Sequence, residues 1–132
     1  MLVVTTRGGA RRLVDLSGHA RLEIVPIAAG DRIPIRALLA FLRERGFGLV
    51  VSEGGPTLFG RLLAAGAVDD LFLTVAPQLA GRSEVPGRLG LVEAVGFPAG
   101  LAPWARLRSV MRSDDHLFLR YALNHPDRKG VS

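Results

Sequence analysis

The residues of this chain best placed to do chemistry are Glu53, Gly54 and Gly55, followed by Pro56, Thr57, Leu58, Phe59, Gly60 and Arg61. A glycine turn that leaves a strand and enters a helix exposes backbone N–H groups that no carbonyl of the helix can reach. Those groups stand at the positive end of the helix dipole and favour a phosphate or another anion. Glu53 immediately precedes the glycines, at the carboxyl end of the strand, which is where open α/β sheets bind ligands. Its carboxylate can therefore face a ligand whose phosphate the N–H groups hold. An ordinary tight turn with Glu53 solvated or capping the helix fits the same residues, and a glycine motif alone does not choose between the two.

The elements around this turn follow from apolar spacing. Residues 49–52 begin with a continuous apolar run, as expected of a strand covered on both faces. Pro56 fits the first helical position, where its missing N–H costs nothing. Leu58, Leu62 and Ala65, with Phe59 and Leu63 alongside, give a helix over 57–65 an apolar face, and Gly66 stands where a glycine ends it. A strand over 71–75 follows. Upstream, residues 2–5 read as a first strand ending in the hydroxyls of Thr5 and Thr6, with Arg7-Gly8-Gly9 a turn and 10–16 a short helix. Residues 22–25 read as a second strand. In 34–45, Ile35, Leu38, Leu39 and Leu42 recur at helical spacing, and Gly46 closes the helix.

Alternating strands and helices predict an α/β fold with a mainly parallel central sheet. The character changes after Pro77. Residues 81–90 and 97–103 have loop composition, and two late strands, 107–111 and 117–123, flank Asp114-Asp115 as an antiparallel hairpin. Residues 1–123 thus read as one domain, and 124–132 as a polar tail.

Composition narrows the function classes. With 132 residues, 48% of them apolar, the chain is one globular domain in size. No apolar run approaches the roughly 20 residues of a membrane helix, and the first residues read as a strand and not as a signal peptide. Cysteine is absent, so there is no disulfide framework and no thiolate metal site. A cytoplasmic protein is the simplest account. The net charge of +5 is carried almost wholly by scattered arginines, without the clustered footprint or interleaved aromatics of a nucleic-acid binder. A positive field of this kind attracts a phosphorylated substrate or an anionic cofactor.

Other chemistry-bearing residues are taken as structural. His19, His116 and His125 lie in three separate contexts without metal-ligand spacing. Asp69 and Asp70, between a helix end and a strand, suit turn and cap duty. Ser52 lies outside any nucleophile-elbow pattern. Trp104 reads as a packing residue beside Pro103.

Ser-Glu-Gly-Gly-Pro-Thr-Leu over 52–58, the Leu-Leu-Ala-Ala-Gly-Ala-Val-Asp-Asp-Leu of 62–71, and Val75-Ala76-Pro77-Gln78-Leu79-Ala80-Gly81 together form a specific pattern. It resembles the C-terminal reductase domain of the bifunctional deaminase–reductases of riboflavin biosynthesis. The resemblance implies a three-layer, dihydrofolate-reductase-like α/β domain that binds NADPH. Its substrate would be a ribosylamino-pyrimidine phosphate, reduced to the ribitylamino form. By the same resemblance Glu53 faces the substrate, Gly54 to Arg61 hold the cofactor, and Thr5 and Thr6 lie beside it. Phe118-Leu119-Arg120-Tyr121 is similar to the closing strand of stand-alone pyrimidine reductase relatives, which associate as homodimers through their C-terminal strands.

The match corresponds to the later part of the family domain, so the resemblance implies that the family's N-terminal strands, with their Ser-x-Asp-Gly-type substrate motif, are missing here. A truncated, non-catalytic fragment that binds cofactor or dimerises is therefore the alternative. A dihydrofolate-reductase-like enzyme acting on a pterin is another.

Overall fold

The computed structural model describes residues 1–16, 18, 21–79, 81, 89–98 and 100–123. The expected tail and most of the expected 81–90 loop lie outside the described residues, as do His19 and His125. The chain divides into two compact units, Met1–Ser52 and Glu53–Ser132.

In the first unit, β1 (Leu2–Thr6) and β2 (Glu23–Ala28) form a parallel pair, with Leu2 opposite Glu23 and Val4 opposite Val25. The register shifts between Thr5 and Thr6, beside Pro26. Proline cannot donate to a ladder and is confined to edges and irregularities, so a two-stranded sheet lets β2 run through Pro26, beyond the expected end at Val25. Helix α1 (Arg7–Arg12) begins three residues earlier than expected. The cause is local: the Thr6 hydroxyl accepts from the Gly9 N–H at 3.1 Å and so caps the helix, drawing Arg7-Gly8-Gly9 into its first turn. A short 3-10 turn, Val14–Leu16, follows.

Helix α2 (Ile35–Glu44) lies against β2, with Ile35 buried and Leu38, Leu39 and Leu42 half-buried. Its end is a Schellman motif. Gly46 has φ 85°, its N–H donates to Arg43 O at 2.9 Å, and the Phe47 N–H donates to Leu42 O at 3.0 Å. Arg45, at the cap, reaches back to the Glu23 carboxylate at the start of β2, at 2.6 and 3.1 Å.

The expected strand over 49–52 is not formed. These residues have no regular secondary structure, and Leu49 and Val51 are 83% and 77% exposed. An apolar run records what a segment is suited to bury. Strand structure additionally needs a neighbour to accept its backbone hydrogen bonds, and among the described residues β1 and β2 pair only with each other.

In the second unit, α3 (Pro56–Ala64) leads to β3 (Asp70–Val75), and the chain later returns as β4 (Ala105–Ser113) and β5 (His116–Leu123). Pro56 occupies the first turn of α3 as expected, and Gly66 (φ 63°) ends the helix with a second Schellman motif: its N–H donates to Leu63 O and that of Ala67 to Leu62 O, both at 2.9 Å. Leu62, Leu63 and Gly60 are its buried residues.

The three strands form an antiparallel sheet in the order β3-β5-β4. The β4–β5 hairpin closes through Asp114-Asp115 as expected, with Ser113 opposite His116 and Asp114 at φ 49°. The expectation of a mainly parallel sheet is corrected here: among the described residues only β1 and β2 pair in parallel. No strand forms over 49–52, and β3 pairs with the hairpin strand β5.

Register and the two-residue period place Leu71, Leu73, Leu119, Tyr121, Leu107 and Val110 on one face of this sheet. All of β4 is exposed. Trp104, expected to pack, is 84% exposed, like the whole of the strand it precedes.

Candidate functional site

The residues singled out in the sequence fall in both units. Thr5 and Thr6 belong to the first, and the turn from Glu53 to Arg61 to the second.

The turn is built around the start of α3. Glu53, Gly54, Gly55 and Thr57 are exposed, Pro56, Leu58, Phe59 and Arg61 are half-buried, and Gly60 is buried. Gly55 is the N-cap, and no side-chain oxygen caps the helix. The first intrahelical bond runs from Phe59 N–H to Gly55 O at 3.1 Å, so the N–H groups of Thr57 and Leu58 lie ahead of the helix's own ladder.

The two glycines differ in what their missing side chains do. Gly55 has φ −68° and ψ 175°, extended backbone open to any residue, and a Cβ there would meet nothing within 4 Å. What its missing side chain leaves is open space beside the helix start. A Cβ on Gly54, by contrast, would lie 2.6 Å from Leu58 Cδ2 and 3.3 Å from its Cβ and Cγ. Gly54 is therefore a packing glycine, folded over the first turn of α3.

Gly60 is a second close approach. A Cβ there would stand 2.5 Å from the backbone oxygen of Glu93 and 3.3 Å from Val92 Cγ1. The loop at 90–95 thus lies directly on α3. The Glu93 N–H donates to Pro56 O at 3.2 Å, and Glu93 Oε1 accepts from the Gly90 N–H at 2.5 Å. Ala94 has φ 61°, which costs a residue with a Cβ. Sequence reasoning missed this loop; its one signal was a glycine in the middle of a helix, where glycine is unfavourable unless something comes close.

Arg61 sits in the last turn of α3, near the negative end of the helix dipole. In the first unit, Thr6 Oγ1 is occupied as an acceptor by the cap of α1, and its hydroxyl proton remains to donate. Thr5, opposite Pro26, packs its hydroxyl against Gly9, where a Cβ would lie 2.1 Å from Oγ1.

The arrangement can do two things chemically. The open space at Gly55, together with the Thr57 and Leu58 N–H groups, fits an anionic group brought close to the backbone. Glu53 supplies a carboxylate next to it. Among the described residues no group of His, Cys, Asp or Glu is arranged to hold a metal, and no helix is long and apolar enough to cross a membrane.

The model of the RibD C-terminal domain matches residues 1–115. The chain is 28% identical over 95 residues to the riboflavin biosynthesis protein PYRR, chloroplastic, of Arabidopsis thaliana, covering 70% of this chain and 15% of that protein. It is 37% identical over 67 residues to the riboflavin biosynthesis protein RibD of Bacillus amyloliquefaciens, covering 51% and 17%. The chain therefore spans about a sixth of the length of these relatives.

Two solved structures share its fold. One is a pyrimidine reductase-like protein of Corynebacterium diphtheriae, with TM-score 0.66 and 23% identity over 94% of this chain and 50% of that one. The other is RibD of Acinetobacter baumannii, with TM-score 0.66 and 23% identity over 93% and 31%. With the glycine turn and the helix it opens inside the matched residues 1–115, most of its length, the chain belongs to the RibD C-terminal domain family.

Proposed function

We propose that this chain is an NADPH-dependent pyrimidine reductase of the riboflavin-biosynthesis type, acting on a ribosylamino-pyrimidine phosphate. The observation that carries the reading is the uncapped start of α3 with open space at Gly55, directly after the exposed carboxylate of Glu53. Residues 54–61 would hold the dinucleotide, with the Thr57 and Leu58 N–H groups toward its phosphates. A bound nicotinamide would supply hydride for the C1 carbon of the opened ribosylamine. The protein's own work is alignment of the two partners. Glu53 would orient the substrate by hydrogen bonds and balance positive charge at the carbon to be reduced.

Residues 1–123 would act as one reductase-like domain, and the exposure of the whole of β4 suits a homodimer formed through the C-terminal strands. A cysteine-free chain suits a reducing compartment, and the cytoplasm is the one proposed.

The test is a titration of NADPH followed by fluorescence, then NADPH oxidation with the ribosylamino-pyrimidine phosphate. Glu53→Gln is expected to keep cofactor affinity and to lower turnover or substrate affinity. Loss of one hydrogen bond to a charged group corresponds to about ten- to a hundredfold. If the parent shows no binding at millimolar NADPH, the enzyme reading is withdrawn. The second reading, a non-catalytic fragment, then takes its place; the exposure of Leu49 and Val51 ahead of the turn favours it. A monomer mass by light scattering at micromolar concentration overturns the homodimer.

A further inference from the structure

The loop at 90–95 makes two contacts on one turn of helix and is closed by a third of its own. The Glu93 N–H is bonded to the Pro56 carbonyl at 3.2 Å. The Glu93 carbonyl oxygen and the Val92 side chain fill the space over Gly60. The Glu93 carboxylate accepts from the Gly90 N–H at 2.5 Å, tying Glu93 back to the start of the loop three residues earlier. Next to Glu93, Ala94 is held at φ 61°, a conformation that a non-glycine residue keeps only when its surroundings impose it. Pro56 and Gly60 bracket Thr57 and Leu58, whose N–H groups precede the helix's own ladder.

We propose that Glu93 is a positioning residue: its side chain closes the 90–95 loop into a brace that fixes the first turn of α3, so that the Thr57 and Leu58 N–H groups are held ready for the phosphates of a nicotinamide dinucleotide. The cofactor part of this inference rests on the reductase reading above. The brace itself rests only on the contacts. Glu93 touches neither substrate nor cofactor in this account; it acts through the backbone of α3. An orienting contact of this kind matters because the N–H groups are useful only while their direction is fixed before the ligand arrives.

The experiment compares the parent chain with Glu93→Ala and Glu93→Gln by NADPH titration, at a temperature where melting curves show all three fully folded. Amide hydrogen exchange is followed in parallel at Gly60, whose intrahelical acceptor is the Pro56 carbonyl, with the amides of α2 as the internal reference. Glu93→Ala is expected to weaken NADPH about tenfold and to speed exchange at Gly60 relative to α2, the size expected for one lost hydrogen bond to a charged group. Glu93→Gln is expected to stay within about twofold of the parent, because an amide oxygen still accepts from the Gly90 N–H. A lowered melting temperature with unchanged NADPH affinity and unchanged exchange overturns the proposal, since that is what a merely structural residue gives. Equal losses in both variants overturn the hydrogen-bond account. If the parent binds no NADPH, the reductase reading fails by itself, and the exchange comparison alone decides the brace: faster exchange at Gly60 in Glu93→Ala upholds it, and unchanged exchange overturns it.

Discussion

Arg120 on β5 grips Asp70 on β3 with two hydrogen bonds, Nε to Oδ1 at 2.9 Å and an Nη2 bond to Oδ2 at 3.0 Å. The two are not direct partners in the ladder. Asp70 lies opposite Ala122 and Arg120 opposite Phe72, so the contact runs diagonally. The Arg120 guanidinium also stands 5.6 Å from the centre of the Phe72 ring, within reach of a cation–π attraction. Asp70, expected to serve a turn or cap, is thus the anchor of the first strand of the antiparallel sheet.

This pair gives the protein a predictable acid response. The Arg120 hydrogen bonds hold the Asp70 carboxyl below its ordinary range against some desolvation, with the charges of Arg120 and Arg108 adding to the effect. Glu23 is lowered in the same way by Arg45. A carboxyl depressed in the folded state contributes stability above its unfolded value, about 4, and loses it as pH falls through the folded value. Melting temperature should therefore fall on acidification below about pH 4. The difference between parent and Asp70→Asn should shrink over the same range. An equal difference at pH 7 and pH 2 would remove the pair from the account of acid stability.

Gly60→Ala sets two effects against each other. Alanine is better than glycine inside a helix by about 1 kcal/mol. Its Cβ would lie 2.5 Å from the Glu93 backbone oxygen, and overpacking against backbone costs about 1–3 kcal/mol. The clash should win, lowering stability in a denaturant titration; a more stable variant would show that the 90–95 loop moves away at little cost.

Ala94→Gly should act in the opposite direction. At φ 61° a Cβ costs about 1–2 kcal/mol, and the added freedom of glycine in the unfolded chain returns part of it. A net gain of about 0.5–1 kcal/mol is expected, read as a rise in melting temperature.

The glycine turn predicts different outcomes at its two positions. Gly55→Val meets open space and ordinary backbone angles, so it should cost less than about 1 kcal/mol, as for a poor N-cap, while blocking NADPH. Gly54→Val must displace Leu58 and should destabilise by about 1–3 kcal/mol. Melting curves beside an NADPH titration separate the two. If Gly55→Val binds NADPH like the parent, no phosphate approaches the backbone there.

What the sequence determined by itself was local. Gly46 and Gly66 end their helices where a left-handed residue is needed, Pro56 starts α3 where no N–H is missed, and Asp114-Asp115 turns the late hairpin. Each outcome depends on residues a few positions apart, which is why composition and spacing reveal it. The Glu53 turn was legible as a candidate site for the same reason. Tertiary structure decided the rest. Leu49 to Val51 read as a buried strand but lie exposed, because pairing needs a neighbour that the run itself cannot supply. β3 pairs antiparallel with β5 because hydrogen bonds between distant segments, and not periodicity, set strand direction. The meeting of Glu93 with Pro56 and Gly60, and of Asp70 with Arg120, joins residues more than 30 positions apart. No local pattern encodes such contacts; they exist only once the chain has folded.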